Sequence, residues 1–116
     1  MLFVKTDATG DMLREVLIQD NAIGTGISAT PDGGYILCGY SDPFGGEGSD
    51  IILAKTDADG RLEWKHSIGG TRMDRAQSVT AVREGGYILT GTTRSYGSGN
   101  QDLVIIKTDL NGVFEE

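Results

Sequence analysis

The sequence contains little cysteine, histidine or positive charge. Cys38 is the only cysteine and His66 the only histidine, so an intrachain disulfide is impossible and the pair cannot supply the three or four ligands of a zinc site. The 10 Lys and Arg residues stand against 17 Asp and Glu residues, which gives a net charge of −7. That balance lacks the basic patch of nucleic-acid-binding proteins, so we expect no nucleic-acid partner. We also expect no metal and no other cofactor, because the sequence offers neither a complete set of metal ligands nor a phosphate-binding loop.

Long hydrophobic runs are missing as well. No apolar run approaches the roughly 20 residues that span a bilayer, so we expect no membrane insertion. Met1 leads directly into a strand signal, from which we expect no signal peptide in this chain. The 116 residues suffice for one small domain, 1–116. Proline occurs only 2 times against 18 glycines, so glycine punctuates short strands here and does not form a flexible linker.

A tandem repeat organises the chain. A shift of 52 residues aligns 22–60 with 74–112 and gives 13 identities in 39 positions. The motif G-G-Y-I-L-x-G occurs at 33–39 and again at 85–91. The motif K-T-D occurs three times, ending at Asp7, Asp57 and Asp109. Self-similarity at a fixed period of this length is typical of repeat architectures.

Each period contains four strand signals, which we name a to d. The complete copy has them at Gly24–Thr30, Tyr35–Ser41, Ile51–Thr56 and Arg61–Ile68; the last copy has a to c at Ala76–Val82, Tyr87–Thr93 and Leu103–Thr108; and the first has c and d at Leu2–Thr6 and Asp11–Ile18. Strand d alternates apolar and polar residues with period two. Strand c is apolar on both faces, so we expect it to be buried between neighbouring sheets. Glycines after strand a predict a tight a–b hairpin, and those inside strand b predict a close approach of sheets.

Four antiparallel strands in a period of about 50 residues are typical of a β-propeller blade. The runs W-x-x-x-x-G-G, G-G-Y-I-L-x-G and D-x-x-x-x-K-T-D-x-x-G resemble the β-propeller repeats of secreted and surface proteins of bacteria and archaea. This resemblance covers essentially the whole chain. It implies an all-β fold of four-stranded blades and an extracellular or cell-surface location, but it says almost nothing about function.

The count of strand signals gives about two and a half blades: a partial blade at 1–18 and blades at 22–68 and 74–116. A closed ring needs at least four blades. The chain is therefore predicted to form an incomplete ring or part of an oligomeric ring. We expect self-association, or continuation into further blades of a longer chain, because the end sheets would otherwise expose apolar faces.

Most candidate chemistry has a simpler structural interpretation. Asp57-x-Asp59-Gly60 is similar to the start of a calcium loop, but the further acidic ligands and the distal glutamate are missing, and a plain hairpin turn is favoured. Trp64 is interpreted as a packing anchor. His66 and Cys38 are interpreted as packed side chains, because no nucleophile and base can be paired from the sequence.

The connections between strands b and c and between d and a are long, and they are predicted to share one face. Loops of this kind are where repeat proteins usually bind, although the same residues could simply close the blade. The candidate binding residues on that face are Asp42, Phe44, Glu47, Arg72, Arg75, Arg94 and Tyr96. We expect a non-catalytic binding or scaffold module with a protein or glycan ligand. The alternative is a fragment of a glycan-processing or quinone-dependent propeller enzyme whose site lies in other blades.

Overall fold

The computed structural model describes residues 1–19, 21–41, 49–69, 74–94 and 101–113. Those residues form nine β-strands and no helix, and so contain nothing of the length and hydropathy that a membrane-spanning helix needs. The strands are β1 Leu2–Thr6, β2 Met12–Leu17, β3 Ala22–Ala29, β4 Tyr35–Ser41, β5 Ile51–Thr56, β6 Leu62–Ile68, β7 Asp74–Ala81, β8 Tyr87–Thr93 and β9 Asp102–Thr108. The all-β prediction is confirmed.

The strands pair antiparallel in three sheets, each in chain order. The first sheet is β1–β2, the second is β3–β4–β5–β6, and the third is β7–β8–β9. Strands β1, β4, β5 and β8 have the predicted bounds, whereas β3 and β7 begin two residues earlier than expected because Ala22 and Asp74 already pair with Ser41 and Thr93.

The sequence predictions about glycine are confirmed in one case and need correction in the other. The tight a–b hairpin is confirmed: Gly33, with a φ of 89°, donates a backbone hydrogen bond of 3.0 Å to the Thr30 carbonyl, and the Thr30 amide donates one of 3.0 Å to the Gly34 carbonyl. Gly39 allows a close approach, but to the backbone of Ile23 in its own sheet and not to a neighbouring sheet. The cause is a β-bulge in β3, which pushes that strand towards β4.

The aspartate of each K-T-D motif organises the turn that follows strand c. The Asp57 carboxylate accepts hydrogen bonds from the backbone amides of Asp59 and Arg61, both at 2.9 Å. Asp7 and Asp109 do the same in their own turns. A side chain that bonds its own backbone two residues on fixes a tight turn, which explains why this residue recurs three times.

Side chains of the second sheet form two cores, one on each face. Its forward face, towards the third sheet, contributes Ile36, Cys38, Ile51 and Leu53, which pack against Ala76, Val79, Tyr87, Leu89 and Ile106. Its rear face contributes Leu37, Ile52 and Ala54, which pack against Met1, Phe3 and Ile18 of the first sheet and its flanks. Fully burying an aliphatic side chain of this size stabilises a fold by about 1.5–3 kcal/mol.

Burial of strand c depends on how many neighbours its sheet has. Every residue of β5 is buried, as predicted. In β1 and β9, however, the prediction of two buried faces is wrong: Leu2 and Leu103 are 52% and 77% exposed. The reason is that the first sheet has no neighbour on its rear face and the third has none on its forward face among the described residues.

Candidate binding surfaces

The sheets have two ends. The connections β1–β2, β3–β4, β5–β6 and β7–β8 lie at the short-turn end, and the connections after β2, β4, β6 and β8 begin at the long-connection end. Of the seven candidate binding residues, only Arg75 and Arg94 are among the described residues. The other five lie outside them: Asp42, Phe44, Glu47, Arg72 and Tyr96.

Arg75 and Arg94 both lie at the long-connection end, as predicted. The Arg75 guanidinium carbon lies 4.6 Å from the centroid of the Tyr40 ring, within the range of a cation–π contact. That contact joins the second and third sheets, so Arg75 has a packing role there; its buried Nε has no hydrogen-bond partner among the described residues. Arg94 directly follows β8 and is exposed, which leaves it accessible to a ligand.

Two aspartates that sequence reasoning did not bring together meet at the same end. The side chains of Asp50 and Asp74 both approach Gly69, where an added Cβ would contact an oxygen of each. Asp74 is 1% exposed, accepts a hydrogen bond from the Thr93 hydroxyl, and donates its amide to Ser49 at 2.7 Å. Asp50 Oδ1 is buried and has no hydrogen-bond partner among the described residues. Burial, and then the Asp74 charge, raise the pKa of Asp50. The repeat gave a signal for Asp50, which is identical to Asp102, but none for Asp74, whose counterpart is Ala22.

An ion-pair cluster lies at the opposite, short-turn end. Lys55 is 4% exposed, and its ammonium bonds Asp32 at 3.0 Å, Glu63 at 2.7 Å and the Thr56 carbonyl at 2.8 Å, which uses all three donors. Burial opposes protonation of Lys55, but the hydrogen bonds to Glu63 and Asp32 outweigh it and raise its pKa. Hydrogen bonds from Thr30, the Gly34 amide and Lys55 hold the pKa of Asp32 well below its usual range.

A cleft of about 450 Å³ opens beside this cluster, between the second and third sheets. Its walls include Asp32, Glu63, Trp64 and Tyr87. Lys55 in its wall is already satisfied, so the described residues of the cleft leave no unpaired cation for a ligand. The sequence predicted a binding face only at the long-connection end, because a cleft between sheets depends on how the sheets pack.

The junctions between successive sheets share a tyrosine position but take its aromatic partner from different strands, β1 in one case and β6 in the other. Between the first and second sheets, Phe3 packs on Tyr35 with ring centroids 5.3 Å apart; between the second and third, Trp64 packs on Tyr87 at 5.9 Å. The two tyrosines are equivalent in the repeat. Trp64 is therefore the packing anchor that the sequence predicted.

The turn glycine after strand c completes each junction. A Cβ on Gly60 would stand 2.6 Å from the ring of Phe3 in the sheet before it, and a Cβ on Gly112 would stand 2.5 Å from the ring of Trp64. Each turn thus contacts the preceding sheet at its glycine, and a side chain at that position would push the two apart. At each junction the contact therefore joins the turn of one sheet to an aromatic residue of the sheet before it.

The remaining reactive side chains have structural partners. His66 lies 2.8 Å from the Asn111 carbonyl and stacks beside Trp64 at 5.0 Å. Cys38 is fully buried, and burial raises the pKa of its thiol, so it is not a ready nucleophile. Within the described ranges no three His, Cys, Asp or Glu side chains come together in a way that could hold a metal ion.

Comparison with known proteins adds no family assignment. No protein-family model matches the chain, and a search of the curated proteins finds no match either. The fold and the contacts between sheets therefore carry the functional argument.

Proposed function

We propose that the three sheets are blades of a β-propeller-type repeat array and that the chain is a non-catalytic binding or scaffold module. One observation carries the proposal: at two successive junctions the same two repeat positions, a turn glycine and the tyrosine of strand b, contact an aromatic ring of the preceding sheet, that of Phe3 in one case and Trp64 in the other. Repeated junctions of this kind produce the regular stacking of blades. The resemblance of the repeat motifs to propeller repeats supports the same assignment.

The use of the reactive groups supports a non-catalytic role. Asp57 is occupied by its own turn, Lys55 by three hydrogen bonds and His66 by a backbone carbonyl. A catalytic group needs free access to a substrate atom within hydrogen-bond reach, and these groups lack it. We place binding at the long-connection end, where the exposed Arg94 lies, and we propose a protein or glycan ligand there.

To test this function, an array of neutral and acidic oligosaccharides is probed with the protein at physiological salt. We expect binding that Arg94→Glu reduces at least tenfold, because the change places a negative charge at the proposed binding end. Arg83→Glu is the matched control: Arg83 is exposed in the β7–β8 connection at the opposite end and undergoes the same charge change. Equal loss in both variants, or no glycan bound by the unchanged protein, would contradict glycan binding at this end.

A propeller-enzyme fragment is the second candidate, favoured by the approach of Asp50 and Asp74. A carboxyl group with a raised pKa beside a second carboxylate is a pattern that acid–base catalysis uses. The 1% exposure of Asp74 argues against contact with a substrate. Mass spectrometry of the array glycans after incubation tests whether this chain contributes to such a site: turnover that Asp74→Asn abolishes would establish the enzyme, whereas unchanged masses exclude a glycan-processing site at Asp50 and Asp74.

A further inference from the structure

The third sheet exposes an apolar face whose counterpart in the second sheet is buried. On this forward face Leu103 and Ile105 are 77% and 68% exposed. Their equivalents at the shift of 52 residues, Ile51 and Leu53, are 2% and 0% exposed because the third sheet covers them. The forward face of the third sheet thus has the composition of a surface that another sheet covers.

The first sheet exposes the complementary half of such a contact. On its rear face Leu2 and Leu17 lie directly opposite each other in the register and are 52% and 58% exposed, and Val4 beside them is 44% exposed. At a shift of 50 residues, Leu2 and Val4 correspond to Ile52 and Ala54, which are both fully buried against the first sheet. The rear face of the first sheet is therefore built like a face that packs on a preceding sheet.

The turn glycines also indicate that the rear face of the first sheet is uncovered. Gly60 and Gly112 each contact an aromatic ring of the sheet before their own. Gly10 occupies the same place in the first turn, and no atom lies within 4 Å of a Cβ built there. The first sheet accordingly has a turn prepared for a junction that no other part of the described chain completes.

We propose that the forward face of the third sheet binds the rear face of the first sheet of a second copy, so that the chains assemble head to tail. This rests on the proposed function, because it treats the three sheets as successive units of one array. Each chain carries both halves of the contact, at opposite ends of its row of sheets, and no other described residue covers either of them. The two surfaces differ, which makes the interface heterologous and leaves one free face at each end of a dimer.

Charge favours this pairing over a symmetric one. Lys107 is exposed on the forward face of the third sheet, so two forward faces packed together would bring two lysines into one interface. The rear face of the first sheet instead carries the exposed Glu15, which is paired with Val4 in the register. Opposite charges at the rim of an apolar contact select the correct partner and orientation.

The experiment uses two variants of the full chain, each with one face blocked. The first, Leu103→Glu with Ile105→Glu, blocks the forward face of the third sheet. The second, Leu2→Glu with Val4→Glu, blocks the rear face of the first sheet. All four side chains are exposed in one chain, so both variants should keep the antiparallel β circular dichroism of the unchanged protein.

Analytical ultracentrifugation then measures mass for each protein alone and for their equimolar mixture. We expect the unchanged chain to associate with increasing concentration and each variant alone to remain a monomer of 12.3 kDa. The mixture should form a complex of twice that mass and no larger species, because only one intact forward face and one intact rear face remain. Leu62→Glu is the control: Leu62 is 42% exposed on the outer strand of the middle sheet, its counterpart Met12 is exposed as well, and its replacement should leave assembly unchanged.

Several results would overturn the proposal. A monomeric unchanged chain, a rear-face variant that still self-associates, or a mixture without the mixed dimer each excludes the head-to-tail contact. Loss of assembly in Leu62→Glu would show general hydrophobic association instead. Glycan binding by monomeric variants would keep the proposed function while the assembly fails, so the two ideas fail independently.

Discussion

Gly112 lies in contact with the indole of Trp64, across the junction between the third and second sheets. A Cβ added at Gly112 would stand 2.5 Å from two carbons of that ring, closer than carbon atoms can pack. Gly10 holds the same place in the first turn, with a φ of 90° against 77° for Gly112, but has open space around it. The chain thus contains the same turn with and without a neighbouring sheet.

A comparison of Gly10 with Gly112 separates the energetic cost of backbone strain from the cost of overpacking between sheets. Gly10→Ala should lower the free energy of unfolding by about 1–2 kcal/mol, the cost of a left-handed backbone for a residue with a Cβ. Gly112→Ala should lose a further 1–3 kcal/mol through overpacking against Trp64. Urea unfolding at low protein concentration, where assembly does not mask the difference, measures both. Equal losses would mean that the Gly112 contact does not hold the sheets together.

Lys55 and Lys107 give a second internal comparison. Both are the lysine of a K-T-D motif, but Lys55 is 4% exposed in its ion-pair cluster and Lys107 is exposed. Lys55→Met should cost about 1–2 kcal/mol, a moderate loss because its partners Asp32 and Glu63 are partly exposed and stay hydrated. Lys107→Met should change stability by less than about 0.5 kcal/mol. Thermal unfolding followed by circular dichroism tests this, and a larger loss at Lys107 would contradict it.

The same cluster predicts an acid dependence. The pKa of Asp32 is lowered in the folded protein, so its contribution to stability is present above the unfolded value of 3.8 and disappears as the pH falls through the folded value. The stability difference between the unchanged protein and Lys55→Met should therefore persist at pH 5 and shrink in stronger acid. A difference that grows on acidification would rule out the charge pair as its source.

The contribution of Asp50 to stability should depend on pH in the opposite sense. Its pKa is raised in the folded protein, so the stability that its protonated form contributes is fully present below the unfolded value of 3.8 and is lost as the pH rises through the folded value. Asp50→Asn, which keeps the shape but removes the charge, should therefore stabilise the fold at pH 7 by about 1 kcal/mol. The gain should vanish below about pH 3.8. Unfolding curves across this pH range measure it, and destabilisation at pH 7 would show that the Asp50 charge has a partner.

The strands were predictable because their signals are local. Tyr35–Ser41 and Tyr87–Thr93 follow glycine-rich connections and were placed to the residue. The repeat of Asp57 in K-T-D also identified the turn, since an aspartate that bonds its own backbone depends on only a few neighbouring residues.

The candidate site was less accessible to sequence reasoning. Strand c is apolar on both faces, so its pattern could not tell which of Leu103 and Val104 faces the neighbouring sheet. The meeting of Asp50 with Asp74 depends on how the second and third sheets pack. Burial of Lys55 likewise follows from packing, because Lys107 lies in an identical motif and stays exposed.

The repeated junctions also bear on how such a chain can change in length. Each junction uses residues of only two adjacent sheets, so duplication of one 52-residue segment within a gene would add a sheet and its junction together and leave the existing ones untouched. Stability in arrays of this kind is approximately a sum over units and their nearest-neighbour contacts. Lengthening by whole segments is therefore a conservative genetic step, whereas insertion or deletion of part of a segment would misalign Trp64 with the glycine that lies on it.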